Sequence, residues 1–279
     1  MRPESPTRPE ARLLGEGPRH GRVVVCVGAA GIDMGALRVA AGLAAGLSAT
    51  LAGIYIEEER LQRVAVLPFT REFSLHSPGA HDFSLSNLRR SQRAQAEQLR
   101  RTLAALAEPM SLIWTMDIVQ GDLHGASFAR MAATDLMVVG RPQFLPPASE
   151  ARAARLGKPY PAALARHPVA VLYDGTQEGL RALAAALALV RITSSDLVVV
   201  IVAGDNASFQ IRKRQADQQL DAVRAHFYRA TTGNWQAAER AAMAHGATAL
   251  IRPRSDVCDT GTSGVVLPAF SSYSLVLIP

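Results

Sequence analysis

The clearest pattern of apolar and polar positions predicts a β-loop-α-β unit over residues 168–202. Val169–Tyr173 is a short apolar run with β-branched residues, and the turn formers Asp174-Gly175-Thr176 follow it. Leu197–Val202 is apolar throughout, as expected of a parallel strand covered on both faces. Between them, apolar residues recur at helical spacing, at Leu180, Leu183, Leu187 and Val190.

The same unit occurs near the start of the chain. Val23–Val27 matches Val169–Tyr173, and Leu51–Ile56 matches Leu197–Val202, both at an offset of 146 positions. Further along, Leu136–Gly140 matches residues 248–252 at a smaller offset, so the first half holds an insertion, placed at residues 60–87. A repeat of this length indicates two similar domains. We predict a first domain over residues 22–167 and a shorter second domain over residues 168–279.

The opening of the second repeat resembles a known family. Tyr173-Asp174-Gly175-Thr176-Gln177-Glu178, followed by Ala182-Leu183 and a second strand, is similar to the opening of universal stress protein domains. The resemblance covers both halves and implies a tandem universal stress protein. It further implies an α/β fold class, with two Rossmann-like domains of the adenine-nucleotide-hydrolase type, each built on a parallel sheet of five strands.

The rest of the apolar pattern predicts the remaining helices and strands, except for a last strand in the first half. In the first half it predicts a helix Leu88–Glu108, a strand Ser111–Gln120, a helix Ala126–Ala133 and a strand Leu136–Val139. In the second half it predicts helices Ser208–Tyr228 and Trp235–His245 and strands Arg229–Thr232, Ala249–Ile251 and Tyr273–Ile278.

Residues 142–167 hold no further β-branched run, so the first sheet has an open edge beside Leu136–Val139. Open edges are normally covered or paired. We expect residues 143–167 or another strand to cover this one, with Tyr273–Ile278 as the candidate, at a domain–domain or homodimer contact. The insertion should fold over the protein, because it would otherwise expose the apolar area of Leu67, Phe69, Phe73 and Phe83.

Composition predicts a cytoplasmic protein. Residues 1–21 are rich in Pro, Arg, Glu and Gly and lack an apolar core, so they predict a disordered tail and not a signal peptide. No later stretch is long and apolar enough to cross a bilayer, so no membrane partner is expected. Two cysteines in 279 residues form no disulfide framework.

The net charge of +6 raises the question of nucleic-acid binding. The basic residues are scattered, and the densest cluster, Arg212-Lys213-Arg214, shares its predicted helix with Asp217 and Asp221. A solvated helix face is the favoured interpretation, and nucleic acid is not an expected partner. Nucleic-acid binding would require the arginines to lie on one face.

The resemblance implies where a nucleotide would bind. In ATP-binding members an Asp ends the first strand, and the motif Gly, two residues, Gly, nine residues, Gly and Ser or Thr follows the fourth. Glycines let backbone N–H groups approach phosphates. The first half has Gly28 in place of the Asp, and Gly140 without the second glycine, while Asp33 is interpreted as a helix N-cap.

The second half keeps more of this pattern. Asp174 is present, and Gly261-Thr262 matches the final Gly and Ser or Thr. Arg252 and Arg254 follow the fourth strand, where they would act either as phosphate clamps or as exposed caps of the strand end. The candidate ligand-binding residues are therefore Asp174, Gly175, Thr176, Arg252, Arg254, Gly261 and Thr262.

No catalytic or metal-binding pattern is present. The seven histidines are dispersed, and neither a Gly-x-Ser-x-Gly elbow nor a complete Walker A loop occurs. We therefore expect no enzyme, no metal and no cofactor. The predicted function is a stress-response protein that binds itself as a homodimer, another protein or a small ligand. The alternative is an ATP-binding, slowly hydrolysing switch that uses the second half.

Overall fold

A computed structural model of the chain describes residues 21–29, 31–73, 80–122, 130, 132, 135–140, 168–220, 223–231, 235–253 and 274–278. Its strands are β1 Arg22–Val27, β2 Thr50–Glu58, β3 Arg71–Phe73, β4 Ala80–Asp82, β5 Trp114–Gly121, β6 Leu136–Val139, β7 Val169–Tyr173, β8 Leu197–Val202, β9 Ala225–Ala230, β10 Ala249–Pro253 and β11 Ser274–Ile278. Its helices are α1 Met34–Gly46, α2 Glu59–Ala65, α3 Leu85–Ala107, α4 Gln177–Thr193, α5 Asn206–Asp217 and α6 Trp235–Ala244, with a 3₁₀ turn at Glu108–Met110.

Nine of these strands form one continuous sheet in the order β5-β2-β1-β6-β11-β10-β7-β8-β9. The pairs within each half are parallel. The two halves meet at β6 and β11, which pair antiparallel with Val138 opposite Val276. The α/β class is confirmed, as is the pairing of the edge strand Leu136–Val139 with Tyr273–Ile278. The two expected sheets are thereby joined into one, and the division at residue 167 stays a prediction.

Helices cover the sheet because its inner strands are apolar on both faces. Every residue of β7 and β8 is buried. Alternate residues contact different layers, so Val171 packs in the cluster that contains α1, α3 and α4, whereas Leu172 packs with Ala242 of α6. The first of these clusters extends through both halves of the chain. One hydrophobic core therefore supports both halves.

Helices α1 and α4 approach each other closely across this join. A Cβ atom placed on Gly46 would lie 2.9 Å from the carbonyl oxygen of Ala188 and 3.0 Å from its Cβ. Only glycine fits there without a shift of backbone, so the small residue sets the distance between the two helices.

Two expectations about the elements are wrong. The predicted helix Ser208–Tyr228 ends at Asp217, and residues 225–230 form β9 on β8. Within the insertion, Leu67 is 58% exposed and Phe69 is 99% exposed, so these side chains do not cover the sheet. Phe83 is half-buried, and its N–H donates to the carbonyl oxygen of Thr70. The predicted helix at residues 126–133 and the segment 143–167 lie outside the described residues, as does the tail except for its last residue.

No helix in the described part of the chain is both long enough and apolar enough to span a bilayer.

Candidate functional site

The sequence Asp174-Gly175-Thr176 lies at the carboxyl end of β7, where the chain continues to β8 on one side and the sheet continues to β10 on the other. Such a switch point is where parallel α/β sheets bind ligands. The Asp174 Oδ1 atom accepts hydrogen bonds from the backbone N–H of Thr176 at 2.9 Å and from its hydroxyl at 2.6 Å. The Thr176 Oγ1 atom in turn accepts from the N–H of Gly179 at 3.0 Å and so caps α4.

Gly175 allows this loop to turn. Its φ of +85° lies in the left-handed region that favours glycine. A Cβ atom there would lie 3.1 Å from the Nε atom of Arg212, so a larger residue would also displace that side chain. The loop is therefore fixed by its own hydrogen bonds and by the arginine beside it.

Arg212 brings a cation to this edge of the sheet. It projects from α5, and its Nη1 atom donates to the backbone carbonyl oxygen of Val202 at the end of β8. The sequence interpretation placed Arg212 on a solvated helix face and missed this position. Asp205 could have indicated this position from the sequence. It follows β8 and caps α5, so the first two turns of that helix lie beside the carboxyl edge of the sheet.

The charges of this region follow from its burial and hydrogen bonds. Burial raises the pKa of the Tyr173 phenol, Asp174 raises it further, and Arg212 opposes them. The backbone and hydroxyl hydrogen bonds from Ser208 lower the pKa of Asp205. At neutral pH, Tyr173 is uncharged and Asp205 is ionised.

The environment of Arg252 differs from both that of a phosphate clamp and that of an exposed cap of the strand end, the two interpretations of the sequence. The residue is 8% exposed, and its Nη1 atom lies 2.7 Å from the Oε1 atom of Glu239 on α6. Its guanidinium is thus held by a carboxylate within the chain. Glu239 was missed; the clue was a single acidic residue in the first turns of the helix before β10. Arg254, Gly261 and Thr262 lie outside the described residues.

The first half presents carboxylates at the corresponding edge. The N–H of Ala29, next to Gly28, donates to the Oε1 atom of Glu58 at 3.2 Å. Asp33 caps α1, as predicted, by accepting from the N–H of Gly35 at 2.9 Å. Its side chain also packs against Gly140, where a Cβ atom would lie 2.8 Å from the Asp33 Cβ.

This edge suits a phosphate poorly. It presents carboxylates, and the loop N–H of Ala29 is already hydrogen-bonded to one of them. Burial, followed by Glu57 and Glu58, raises the pKa of Tyr55 in this region to about 12. The Tyr55 hydroxyl donates to Gln95 Oε1 at 2.7 Å. The antiparallel join directs the carboxyl ends of the two halves to opposite ends of the sheet, so their edges cannot form one site.

Among the described residues, no group of three or more His, Cys, Asp or Glu side chains could hold a metal ion.

Comparison with known proteins supports the fold. No family model and no curated protein matches the chain. A crystal structure of a universal stress protein from Archaeoglobus fulgidus is similar over 94% of this chain and 98% of its own, with a TM-score of 0.50 and 11% identity. The cytoplasmic domain of a prokaryotic cation chloride cotransporter matches over 92% and 94%, with a TM-score of 0.42 and 9% identity.

The first similarity confirms the fold that the sequence resemblance implied, a universal-stress-protein-like α/β fold.

Proposed function

We propose that the protein is a cytoplasmic, non-enzymatic stress-response protein that acts by binding. The fold supports the stress-protein assignment. One observation carries the proposal. In both halves, groups at the edge where a nucleotide would bind are already hydrogen-bonded to other residues of the chain. Asp174 holds its own loop, Arg252 is held by Glu239, and the N–H of Ala29 donates to Glu58.

The expected partners are a second copy, another protein or a small ligand, and not a nucleic acid. Helix α3 exposes five basic residues, Arg89, Arg90, Arg93, Arg100 and Arg101. Glu97 lies among them in the sequence and forms ion pairs with Arg100 at 3.2 Å and Arg101 at 3.4 Å. This partial neutralisation supports a solvated helix face.

The second candidate is an ATP-binding, slowly hydrolysing switch in the second half. It is favoured by the position of Arg212, which lies against the glycine loop at the switch point. A guanidinium there could exchange its carbonyl partner for a phosphate. Asp174, Gly175 and Thr176 would line this site, and the sequence adds Arg252, Arg254, Gly261 and Thr262.

Titration calorimetry with ATP distinguishes the two functions. The proposed function predicts no heat of binding at millimolar ATP and no release of phosphate. The switch predicts binding that Asp174→Asn and Arg212→Gln each weaken at least about tenfold. Asn keeps the carbonyl acceptor for Thr176, so this variant tests the charge and leaves the turn. Asp196→Ala is the matched control, since it removes an exposed carboxylate at the amino end of β8.

ATP binding that Asp174→Asn weakens and Asp196→Ala leaves intact would replace the first proposal by the second. Mass spectrometry of the purified protein under native conditions gives an independent measurement, because a retained nucleotide adds its mass to the chain.

A further inference from the structure

Strand β5 is an open edge of the nine-stranded sheet. It pairs with β2 over its whole length, from Trp114 opposite Leu51 to Gly121 opposite Glu58, and stands last in the strand order. Half of the backbone N–H and C=O groups of such a strand face away from its neighbour. No strand among the described residues pairs with that outer side.

The two edge strands each contain one formally charged residue, and the basic one lies on the opposite edge. Strand β9, at the other end of the sheet, exposes His226 and Arg229. Strand β5 contains one charged residue, Asp117, and neither Lys, Arg nor Pro. Its Ile118 is 58% exposed. Proteins normally place charges, especially Lys, on an edge that must not pair, so β5 is the edge suited to pairing.

We propose that β5 is the self-association surface of the protein, where a second copy pairs antiparallel about a two-fold axis at Ile118. The occupant is a second copy because the strand is complementary to itself in this direction and carries little charge. The chain already joins two edges antiparallel, at β6 and β11. The inference rests on the part of the proposed function in which the chain binds itself.

The position of the axis follows from geometry and charge. A two-fold axis normal to the sheet places the same face of both copies on the same side. Residues that pair across the axis then share a face, and at the axis one residue lies opposite its own copy. The registers that keep most of β5 paired centre on Asp117 or Ile118. Centring on Asp117 places two carboxylates directly opposite each other, which is destabilising. Centring on Ile118 places two exposed isoleucines together, on the face of Tyr55.

Sedimentation equilibrium of the full chain tests the surface. We expect the wild type to dimerise at micromolar concentrations and Ile118→Lys to weaken dimerisation at least about 100-fold, because two ammonium groups would meet at the axis. Ile211→Lys is the matched control, since Ile211 is 55% exposed on α5, and should leave the dimer intact. Circular dichroism establishes that both variants fold.

Cysteine cross-linking tests the register in a chain whose Cys26 and Cys258 are replaced by Ser. Residues directly opposite in antiparallel strands have Cα atoms about 4.5–5.5 Å apart, within the range of a disulfide. Ile118→Cys should therefore form a disulfide-linked dimer on mild oxidation. Asp117→Cys should not, because its copies lie diagonally, about 7–8 Å apart.

Three results would overturn the inference: a monomeric wild type, a dimer that survives Ile118→Lys, or cross-linking at Asp117→Cys in place of Ile118→Cys. A monomer that binds a ligand or another protein would leave the proposed function standing. The two failures are therefore distinguishable.

Discussion

Replacing Glu239 with alanine would leave the Arg252 guanidinium buried beside α6 without the carboxylate of Glu239. The two side chains are 10% and 17% exposed, and their charged atoms lie 2.7 Å apart. Removing one partner of a buried ion pair costs about 3–5 kcal/mol, because the remaining charge stays desolvated. The residual exposure admits some water, so we expect a loss of about 2–3 kcal/mol in the free energy of unfolding.

Urea unfolding followed by circular dichroism measures this loss. The midpoint should fall while the slope stays that of the wild type. The melting temperature should fall by about 4–10 °C for a chain of this size. Glu97→Ala is the control, because its ion pairs with Arg100 and Arg101 on α3 are exposed, and its midpoint should stay close to that of the wild type.

A double variant separates the cost of burying the Arg252 charge without Glu239 from the loss of packing contact. Arg252→Met with Glu239→Leu removes both charges and keeps apolar volume, so it should recover most of the stability that Glu239→Ala loses. Equal midpoints for Glu239→Ala and Glu97→Ala would refute the reasoning, because they would show that Arg252 is not held in a desolvated position.

Two further predictions concern ionisation. Burial would raise the pKa of Asp135, but hydrogen bonds from Arg22 and the Ala132 N–H outweigh it and bring the pKa below the ordinary 3.8. The stability from Asp135 is therefore present above pH 3.8 and is lost as pH falls through the folded-state pKa, and Asp135→Asn should flatten this acid limb in denaturation midpoints. Tyr55, with its pKa raised to about 12, favours folding below pH 10, and this contribution is lost as pH rises towards 12. Tyr55→Phe should remove the contribution of this one tyrosine to the phenolate absorbance that develops near pH 12. An unchanged acid limb, or an unchanged alkaline titration, contradicts the respective assignment.

The sequence predicted best where the apolar pattern has one interpretation. Val169–Tyr173 and Leu197–Val202 are unbroken apolar runs rich in β-branched residues, and the structure has strands at the same residues. Residues 225–230 differ because His226 and Arg229 are exposed beside half-buried Phe227 and Tyr228, a mixture that continues a polar helix equally well. Only the pairing with β8 makes this segment a strand.

Contacts between distant segments could not be predicted to the same extent. Composition suggested that Leu67 and Phe69 need cover, but nothing local specifies a segment to supply it, and both are exposed. In the candidate site, the turn residues Asp174 and Thr176 follow local rules. The pairing of Arg252 with Glu239 depends on how α6 packs on the sheet. The sequence therefore predicted the fold and the turn at Asp174 and Thr176, whereas it did not predict the partners of Arg212 and Arg252.

The position of β11 determines the order in which the molecule can be completed. Of the described strands it comes last in the chain, yet it lies in the middle of the sheet, between β6 and β10. During translation, the edges of β6 and β10 have no β11 to pair with until residues 274–278 have been synthesised. A chain that stopped before residue 274 would therefore lack the strand that joins its two halves in the sheet.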